Sequence, residues 1–291
     1  MCAARSSPVC NRSGMSGKRR WNFHKNLRRA KEGAPLRMDK KLQFIPDLHL
    51  SYVGPHLNEG ALPALFYFAT SQEDSLCLYP FNQPVAHLAA LPMRIFSMTL
   101  PGHGPNLPIN EALRIWATEI AQGRNIIAEF VEKITLAVET LIHQGVLLQD
   151  RLAVAGLSRG AFVATHAASK ISHFRYLLGF APLSSLAIAK EFSQIKDQPL
   201  TTSLDLEQLV DSLTDRQVRF YIGNVDTRVD TRLCFNFIEA LAKRAVEKQA
   251  RSPQVELFIT PSIGPLGHGT SKETFQQGAA WIAEKLGVHN G

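Results

Sequence analysis

The feature that most constrains the fold of this chain is a Gly-x-Ser-x-Gly motif at residues 156–160, which reads Gly-Leu-Ser-Arg-Gly. Apolar residues precede it from Leu152, and small residues with apolar side chains at helical spacing follow it to Ala168. The sequence therefore predicts a strand, an abrupt turn and a helix. In such a turn the serine backbone is strained, the hydroxyl stands clear of the sheet edge, and the flanking glycines let strand and helix cross closely. Ser158 is the candidate nucleophile.

The charge of the chain is unevenly distributed. The 291 residues are 45% hydrophobic and 20% charged, as in ordinary globular proteins, and carry a formal charge of +7. Residues 1–37 hold ten of the 32 Lys and Arg but one of the 25 Asp and Glu, so this segment has a charge of +9 and the remainder −2. We interpret residues 1–37 as a disordered tail that binds nucleic acid or an acidic surface, or as a transit peptide. The alternative is that translation begins at Met38.

Cysteine usage and apolar runs bear on the compartment. The four cysteines form no Cys-x-x-Cys pair and have no metal-ligand spacing with histidine, so we expect neither a disulfide framework nor a metal site. A reducing, cytoplasmic compartment fits this usage. No apolar run approaches the roughly 20 residues that span a bilayer, and we expect no membrane span.

Predicted strands and helices alternate along the body of the chain. Strands are predicted over residues 62–69, 93–100, 174–181, 217–223 and 254–260, and helices over 109–145, 231–249 and 271–286, with Gly123 as a candidate break. One helix of uncertain limits is expected between the loop at 70–74 and Leu91. This alternation predicts an α/β protein with an open, mainly parallel sheet and helices on both faces. Residues 182–215 are less regular, with two short helical pieces, and are interpreted as a small cap.

A serine hydroxyl needs a neighbouring base, and that base needs an orienting carboxylate. His268 lies between the last predicted strand and the last helix, with a glycine on either side. Two aspartates follow the preceding strand: Asp226 comes three residues after Gly223, whereas Asp230 directly precedes a helix and is placed to cap it. Because functional sites in such sheets lie at the carboxyl ends of strands, we expect Asp226 and His268 beside Ser158, with Asp230 as the alternative acid.

Four separated motifs resemble those of the α/β-hydrolase superfamily, most closely its dienelactone-hydrolase and prolyl-oligopeptidase-like branch. They are the motif at 156–160, Gly-Asn-Val-Asp-Thr-Arg-Val at 223–229, Gly-His-Gly at 267–269 and Leu-Pro-Gly-His-Gly at 100–104. The resemblance covers about residues 42–291. It implies an α/β-hydrolase domain over residues 38–291, Asp226 as the acid of a Ser-His-Asp triad, and a structural role for His103.

The sequence departs from this pattern at one loop. In many relatives the strand that ends here at Ala69 runs into His-Gly, whose following amide helps to bind the oxyanion, whereas this chain continues with Thr70-Ser71-Gln72. Because a backbone amide can serve from any residue, we expect the oxyanion hole to be built from the Arg159 N–H and that of Thr70 or Ser71. Loss of one donor typically costs about 10²–10³ in turnover.

These observations together predict a serine hydrolase of carboxylesterase type. It would cleave an ester, thioester or related acyl bond of a small molecule through an acyl-enzyme, without cofactor or metal. An esterase is preferred to a serine peptidase because no large accessory domain gates the site. A catalytically weak or inactive binding or scaffold protein is the alternative that the altered loop favours. The cap residues expected to form an apolar acyl pocket are Leu183, Leu186 and Phe192.

Overall fold

A computed structural model describes residues 42–105 and 107–289 of the chain. All of these residues lie in one unit, Arg37–Gly291. The predicted tail at residues 1–37 and the candidate start at Met38 lie outside the described residues.

An eight-stranded sheet forms the centre of the described unit, in the order β1-β2-β4-β3-β5-β6-β7-β8. β1 and β2 pair antiparallel, as do β2 and β4, and every other neighbouring pair is parallel. The predicted open, mostly parallel sheet is confirmed. The strands are β1 (Gln43–Ile45), β2 (Leu50–Val53), β3 (Leu62–Phe68), β4 (Arg94–Ser97), β5 (Leu147–Leu157), β6 (Phe174–Phe180), β7 (Gln217–Gly223) and β8 (Val255–Thr260).

Helices cover both faces of the sheet, as predicted. In chain order they are α1 (Gln72–Cys77), α2 (Gln83–Leu88), α3 (Ala112–Ala121), α4 (Ile126–His143), α5 (Arg159–Lys170), α6 (Pro199–Ser203), α7 (Val210–Leu213), α8 (Thr231–Glu247) and α9 (Lys272–Leu286). Gly123, at φ 83°, separates α3 from α4, as the sequence suggested. The short α6 and α7 are the two helical pieces expected within residues 182–215.

The region between β3 and β4 differs from its prediction. The structure has two short helices there, α1 and α2, in place of one helix. Pro80 lies between them, and proline lacks the N–H that continues a helix and disfavours helical backbone in the residue before it. β4 is also shorter than predicted, and ends at Ser97.

The sheet separates two hydrophobic clusters. Successive residues of a strand point to opposite faces, so Phe66 and Val154 lie in the larger cluster and Leu65 and Ala153 in the smaller. α3, α4, α5 and α8 pack on the larger cluster, and α1, α2 and α9 on the smaller. In the central strands β3 and β5, residues 62–68 and 152–157 form apolar runs, as expected where both faces of a sheet are covered.

Arg94, on β4, is fully buried. Its guanidinium donates to the carbonyl oxygens of Pro55 (3.0 Å), His56 (2.5 Å), Gly60 (2.9 Å) and Val146 (2.7 Å). One side chain thereby fixes the connection between β2 and β3 and the residue that precedes β5. Hydrogen bonds to a charged donor are stronger than neutral ones, so this cluster contributes substantially to stability.

Replacing Arg94 with methionine is expected to lower the free energy of unfolding by about 2–4 kcal/mol, because it leaves buried carbonyl oxygens without donors. Urea unfolding followed by circular dichroism measures the change. Arg175→Met, at an exposed arginine on β6, is the matched control. A loss for Arg94→Met no larger than that of the control would contradict this role.

Candidate active site

Ser158 occupies the turn between β5 and α5. Its backbone has φ 57° and ψ −118°, which is unusual for a residue other than glycine, and its N–H donates to the carbonyl oxygen of Phe180 on β6 (2.8 Å). The surrounding structure holds this conformation in place, as is typical of functional turns. The residue is partly exposed.

The glycines on either side of Ser158 lie where α5 crosses the sheet. A Cβ atom on Gly156 would lie 2.2 Å from the carbonyl carbon of Gly160, and one on Gly160 would lie 2.0 Å from the carbonyl oxygen of Phe68, the last residue of β3. Real Cβ atoms do not approach backbone atoms so closely. Glycine at these two positions is therefore a steric requirement of the turn.

Three side chains from the segments that follow the parallel strands β5, β7 and β8 meet at the carboxyl edge of the sheet. His268 Nε2 lies 2.8 Å from Ser158 Oγ, and His268 Nδ1 lies 2.7 Å from Asp226 Oδ2. The structure thus brings together the serine, histidine and aspartate singled out in the sequence. Asp230, the alternative acid, instead caps α8, where its carboxylate accepts from the N–H groups of Arg232 (2.8 Å) and Leu233 (3.4 Å).

The environment of Asp226 keeps its carboxylate ionised. Burial by itself raises the pKa of this carboxyl, but the hydrogen bond and charge of His268 oppose that effect. The N–H groups of Arg228 (3.0 Å) and Val229 (3.2 Å) also donate to Oδ1, and the net result is a lowered pKa. An ionised Asp226 accepts a hydrogen bond from the Nδ1–H of His268, which leaves the Nε2 lone pair facing the serine hydroxyl.

The loops that carry Asp226 and His268 are bonded to each other. Ser262 Oγ accepts from the N–H of Val225 (2.7 Å), and the N–H of Ser262 donates to Asn224 Oδ1 (3.0 Å). The carbonyl oxygen of Leu266 accepts from the N–H of Thr227 (2.9 Å). Sequence reasoning missed Ser262 and Asn224, because no periodic signal marks a contact between two loops.

A further residue that the sequence analysis missed, Ser75, organises the loop after β3. The Ser75 hydroxyl is buried on α1, accepts from the N–H groups of Ala69 (3.1 Å) and Thr70 (3.2 Å), and donates to the Ser71 carbonyl oxygen (2.7 Å). The Thr70 amide therefore already has an acceptor. Among the residues that the structure describes, the amides of Ser71 and Arg159 have none. The only signal in the sequence that could have identified Ser75 is its spacing, because it lies four residues after Ser71 of this loop.

Arg159 and His103 connect the turn at Ser158 to the loop after β4. Arg159 Nη1 donates to the carbonyl oxygen of Ile109 (3.1 Å) and lies 3.4 Å from His103 Nε2. Burial, assisted by the charge of Arg159, lowers the pKa of His103 to about 3. The imidazole is neutral at physiological pH, and Nε2 can accept from the guanidinium.

A cavity of about 350 Å³ adjoins these residues. Its lining includes Ser71, Glu73, Asp74, Thr99, His103 and Ile109. The cap residues expected to form an apolar pocket lie elsewhere: Leu183 is 3% exposed and Leu186 and Phe192 are fully buried, all in the larger hydrophobic cluster. A pocket role for these three residues stays a prediction.

The other histidines on or near α5 make structural contacts. His166 Nε2 lies 3.0 Å from the carbonyl oxygen of Leu204, and burial lowers the pKa of its imidazole to about 4. His173 lies 3.7 Å from the Glu139 carboxylate. Within residues 42–105 and 107–289, no group of three or more His, Cys, Asp and Glu side chains is arranged to hold a metal ion. The same residues include no helix long and apolar enough to cross a membrane.

No protein-family model and no curated protein matches the sequence significantly. Solved structures do resemble it. TT1662 from Thermus thermophilus superposes with a TM-score of 0.65 at 16% identity, over 86% of this chain and 99% of that one. Acetyl xylan esterase 1 from Thermoanaerobacterium gives a TM-score of 0.53 at 17% identity, over 81% of this chain and 78% of that one.

A third similar structure is prolyl oligopeptidase B from Galerina marginata, with a TM-score of 0.60 at 15% identity over 83% of this chain. The match covers 35% of the oligopeptidase, so this chain spans about a third of its length. Its structures with peptide substrates carry single alanine substitutions at a serine, an aspartate and a histidine, which follow one another in that order along its chain.

The steric argument for Gly160 gives a test. Gly160→Ala is expected to lower the free energy of unfolding by about 3 kcal/mol or more, because its Cβ would collide with the backbone of Phe68. The control is Gly104→Ala, whose Cβ would lie 3.7 Å from its nearest neighbour, a Leu107 methyl group. Equal urea midpoints for the two variants would show that α5 does not cross the sheet as closely as described.

Proposed function

The chain has the α/β-hydrolase fold, and on that premise we propose that it is a serine hydrolase that cleaves an ester, thioester or related acyl bond. The observation that carries the proposal is the continuous hydrogen-bonded series from Ser158 through His268 to the buried carboxylate of Asp226. A histidine positioned between a serine hydroxyl and an ionised carboxylate is the arrangement that activates a serine.

In the proposed reaction Ser158 Oγ attacks the acyl carbonyl carbon, while His268 Nε2 takes the hydroxyl proton. Asp226 holds the imidazole in the required tautomer and stabilises the imidazolium that forms. The tetrahedral intermediate collapses as the leaving alcohol or thiol receives that proton, which leaves an acyl-enzyme. Water, deprotonated by His268, then attacks the acyl carbon, the acid departs, and the proton returns to Ser158.

The negative charge on the tetrahedral intermediate needs two donors. We assign them to the amides of Arg159 and Ser71, because both lack an acceptor among the described residues whereas the Thr70 amide donates to Ser75. The Arg159 amide lies in the first turn of α5, where the helix dipole also favours negative charge. Ser75 would hold the loop in the place where relatives carry His-Gly.

An ester bond is preferred to a peptide bond. The acetyl xylan esterase matches this chain over 78% of its own length. The proposed substrate is therefore a small acyl compound, and peptidase activity is the second candidate. The short, partly exposed site around Ser158 supports direct access for such a compound.

Labelling by a fluorophosphonate probe and hydrolysis of 4-nitrophenyl butyrate test the proposed triad. Wild type is expected to react with both, Ser158→Ala with neither, and Asp226→Asn is expected to lose about 10⁴ in kcat because the imidazole adopts the wrong tautomer. Circular dichroism confirms that each variant is folded. A folded wild-type protein that neither labels nor hydrolyses would make the binding or scaffold function the better conclusion.

The assignment of the Ser71 amide has a sharper test, because Ser71 has φ −70°, which proline can adopt. Ser71→Pro removes the N–H, and Ser71→Ala keeps it; both lose the hydroxyl that caps α1. We expect kcat of the proline variant to fall about 10²–10³ below that of the alanine variant, with KM little changed. Equal kcat values for the two variants would exclude Ser71 as an oxyanion donor.

A further inference from the structure

The direction of the Asp226 carboxylate depends on the backbone that carries it. The side chain is short and fully buried, so a shift of the backbone moves the carboxylate with it. Both main-chain polar groups of Asp226 are bonded to one residue, Thr231. The Asp226 N–H donates to Thr231 Oγ1 (3.0 Å), and the Asp226 carbonyl oxygen accepts from the Thr231 N–H (3.3 Å). Thr231 therefore fixes the backbone of the acid in the proposed triad.

Thr231 is itself held between the sheet and a helix. Its Oγ1 donates to the carbonyl oxygen of Gly223, the last residue of β7, at 2.6 Å. A hydroxyl carries one proton and two lone pairs, so the same oxygen can donate to Gly223 and accept from Asp226. Thr231 is also the first residue of α8, which Asp230 caps, and its χ1 angle is restricted because threonine branches at Cβ. The hydroxyl thus joins the carboxyl end of β7 to Asp226 in a restricted geometry.

The bonds to the Asp226 carboxylate do not by themselves position it against the sheet. The N–H groups of Arg228 and Val229 that donate to Oδ1 belong to the same loop and move with Asp226. His268, which is bonded to Oδ2, lies in the neighbouring loop. The bond through Thr231 differs from these because it reaches the end of a strand.

We propose that Thr231 is a positioning residue for the triad: its hydroxyl fixes the backbone of Asp226 where Oδ2 can accept from His268 Nδ1 at 2.7 Å. The catalytic part of this inference rests on the proposed hydrolase function, whereas the geometric part does not. Reaction rates are sensitive to such placement, because a displacement of about 1 Å can cost about 10²-fold in rate. Thr231 acts through Asp226 and His268.

The other role open to Thr231 is purely structural, since its hydroxyl also ties the start of α8 to β7. Loss of the hydroxyl in that role lowers the free energy of unfolding. It leaves the distance between Asp226 and His268, and the kcat of the folded protein, unchanged. The two roles therefore differ in what they predict for the geometry of the site and for turnover.

Three variants of Thr231 separate the hydroxyl from the rest of the side chain. Thr231→Val keeps the shape and removes the hydroxyl, Thr231→Ala removes the hydroxyl and the methyl group, and Thr231→Ser keeps the hydroxyl. The alanine variant is included because valine places a methyl group against two polar backbone groups and can impair folding. The matched control is Thr118→Val, at an exposed threonine of α3 whose hydroxyl donates to the Arg114 carbonyl oxygen (3.0 Å).

The first measurement is the crystal structure of each folded variant, which does not require activity. We expect the distance from Asp226 Oδ2 to His268 Nδ1 to exceed about 3.5 Å in the valine and alanine variants, beyond hydrogen-bonding range. The serine variant and the control are expected to keep the wild-type distance of 2.7 Å. An unchanged distance in either variant that lacks the hydroxyl would overturn the positioning role.

Kinetics with 4-nitrophenyl butyrate provide the second measurement. We expect kcat to fall about 10–100-fold in Thr231→Val and Thr231→Ala with KM little changed, and to stay within about threefold of wild type in Thr231→Ser and the control. Full kcat without the hydroxyl, or an equal loss in Thr231→Ser, would refute the inference and leave the hydrolase proposal intact. An inactive wild type whose distance between Asp226 and His268 still responds to loss of the hydroxyl would do the reverse.

Discussion

The crossing of α5 over the carboxyl ends of β3 and β5 is the contact on which the rest of the site depends. Gly156 and Gly160 allow backbone to meet backbone there, at distances that no side chain could tolerate. This approach forces Ser158 into its unusual conformation and exposes its hydroxyl at the sheet edge. Steric exclusion at two glycines thus determines the position of the Ser158 hydroxyl and of the N-terminus of α5 beside it.

Two buried arginines connect separate parts of the backbone. Arg94 directs all of its bonds to four backbone carbonyl oxygens and so closes the connection between β2 and β3. Arg159 Nη1 contacts two neutral groups, the carbonyl oxygen of Ile109 and the imidazole of His103. The neutral state of His103 matters here, because a protonated imidazole at 3.4 Å would repel the guanidinium.

The sequence predicted the parts of this molecule that carry a strong local signal. A few neighbouring residues are enough to predict each of these features. They are the long apolar strands, the amphipathic helices, the break at Gly123 and the turn at Ser158. The structure also brings Ser158, Asp226 and His268 within hydrogen-bonding distance, as expected for residues that follow parallel strands of one sheet at their carboxyl ends. The function of that group stays a prediction. Sequence reasoning failed for Ser75, because its contacts depend on how a loop folds back on a helix.

The bonds between the loops after β7 and β8 have a consequence for how this protein can vary. Gly223 and Gly267 lie against the opposite loop, and Ser262 and Thr227 join the two loops through the backbone. A change in one loop therefore alters the fit of the other, and substitutions within the pair should be strongly non-additive. We therefore expect related proteins to change these two loops together. The strands that precede the loops are expected to change independently of each other.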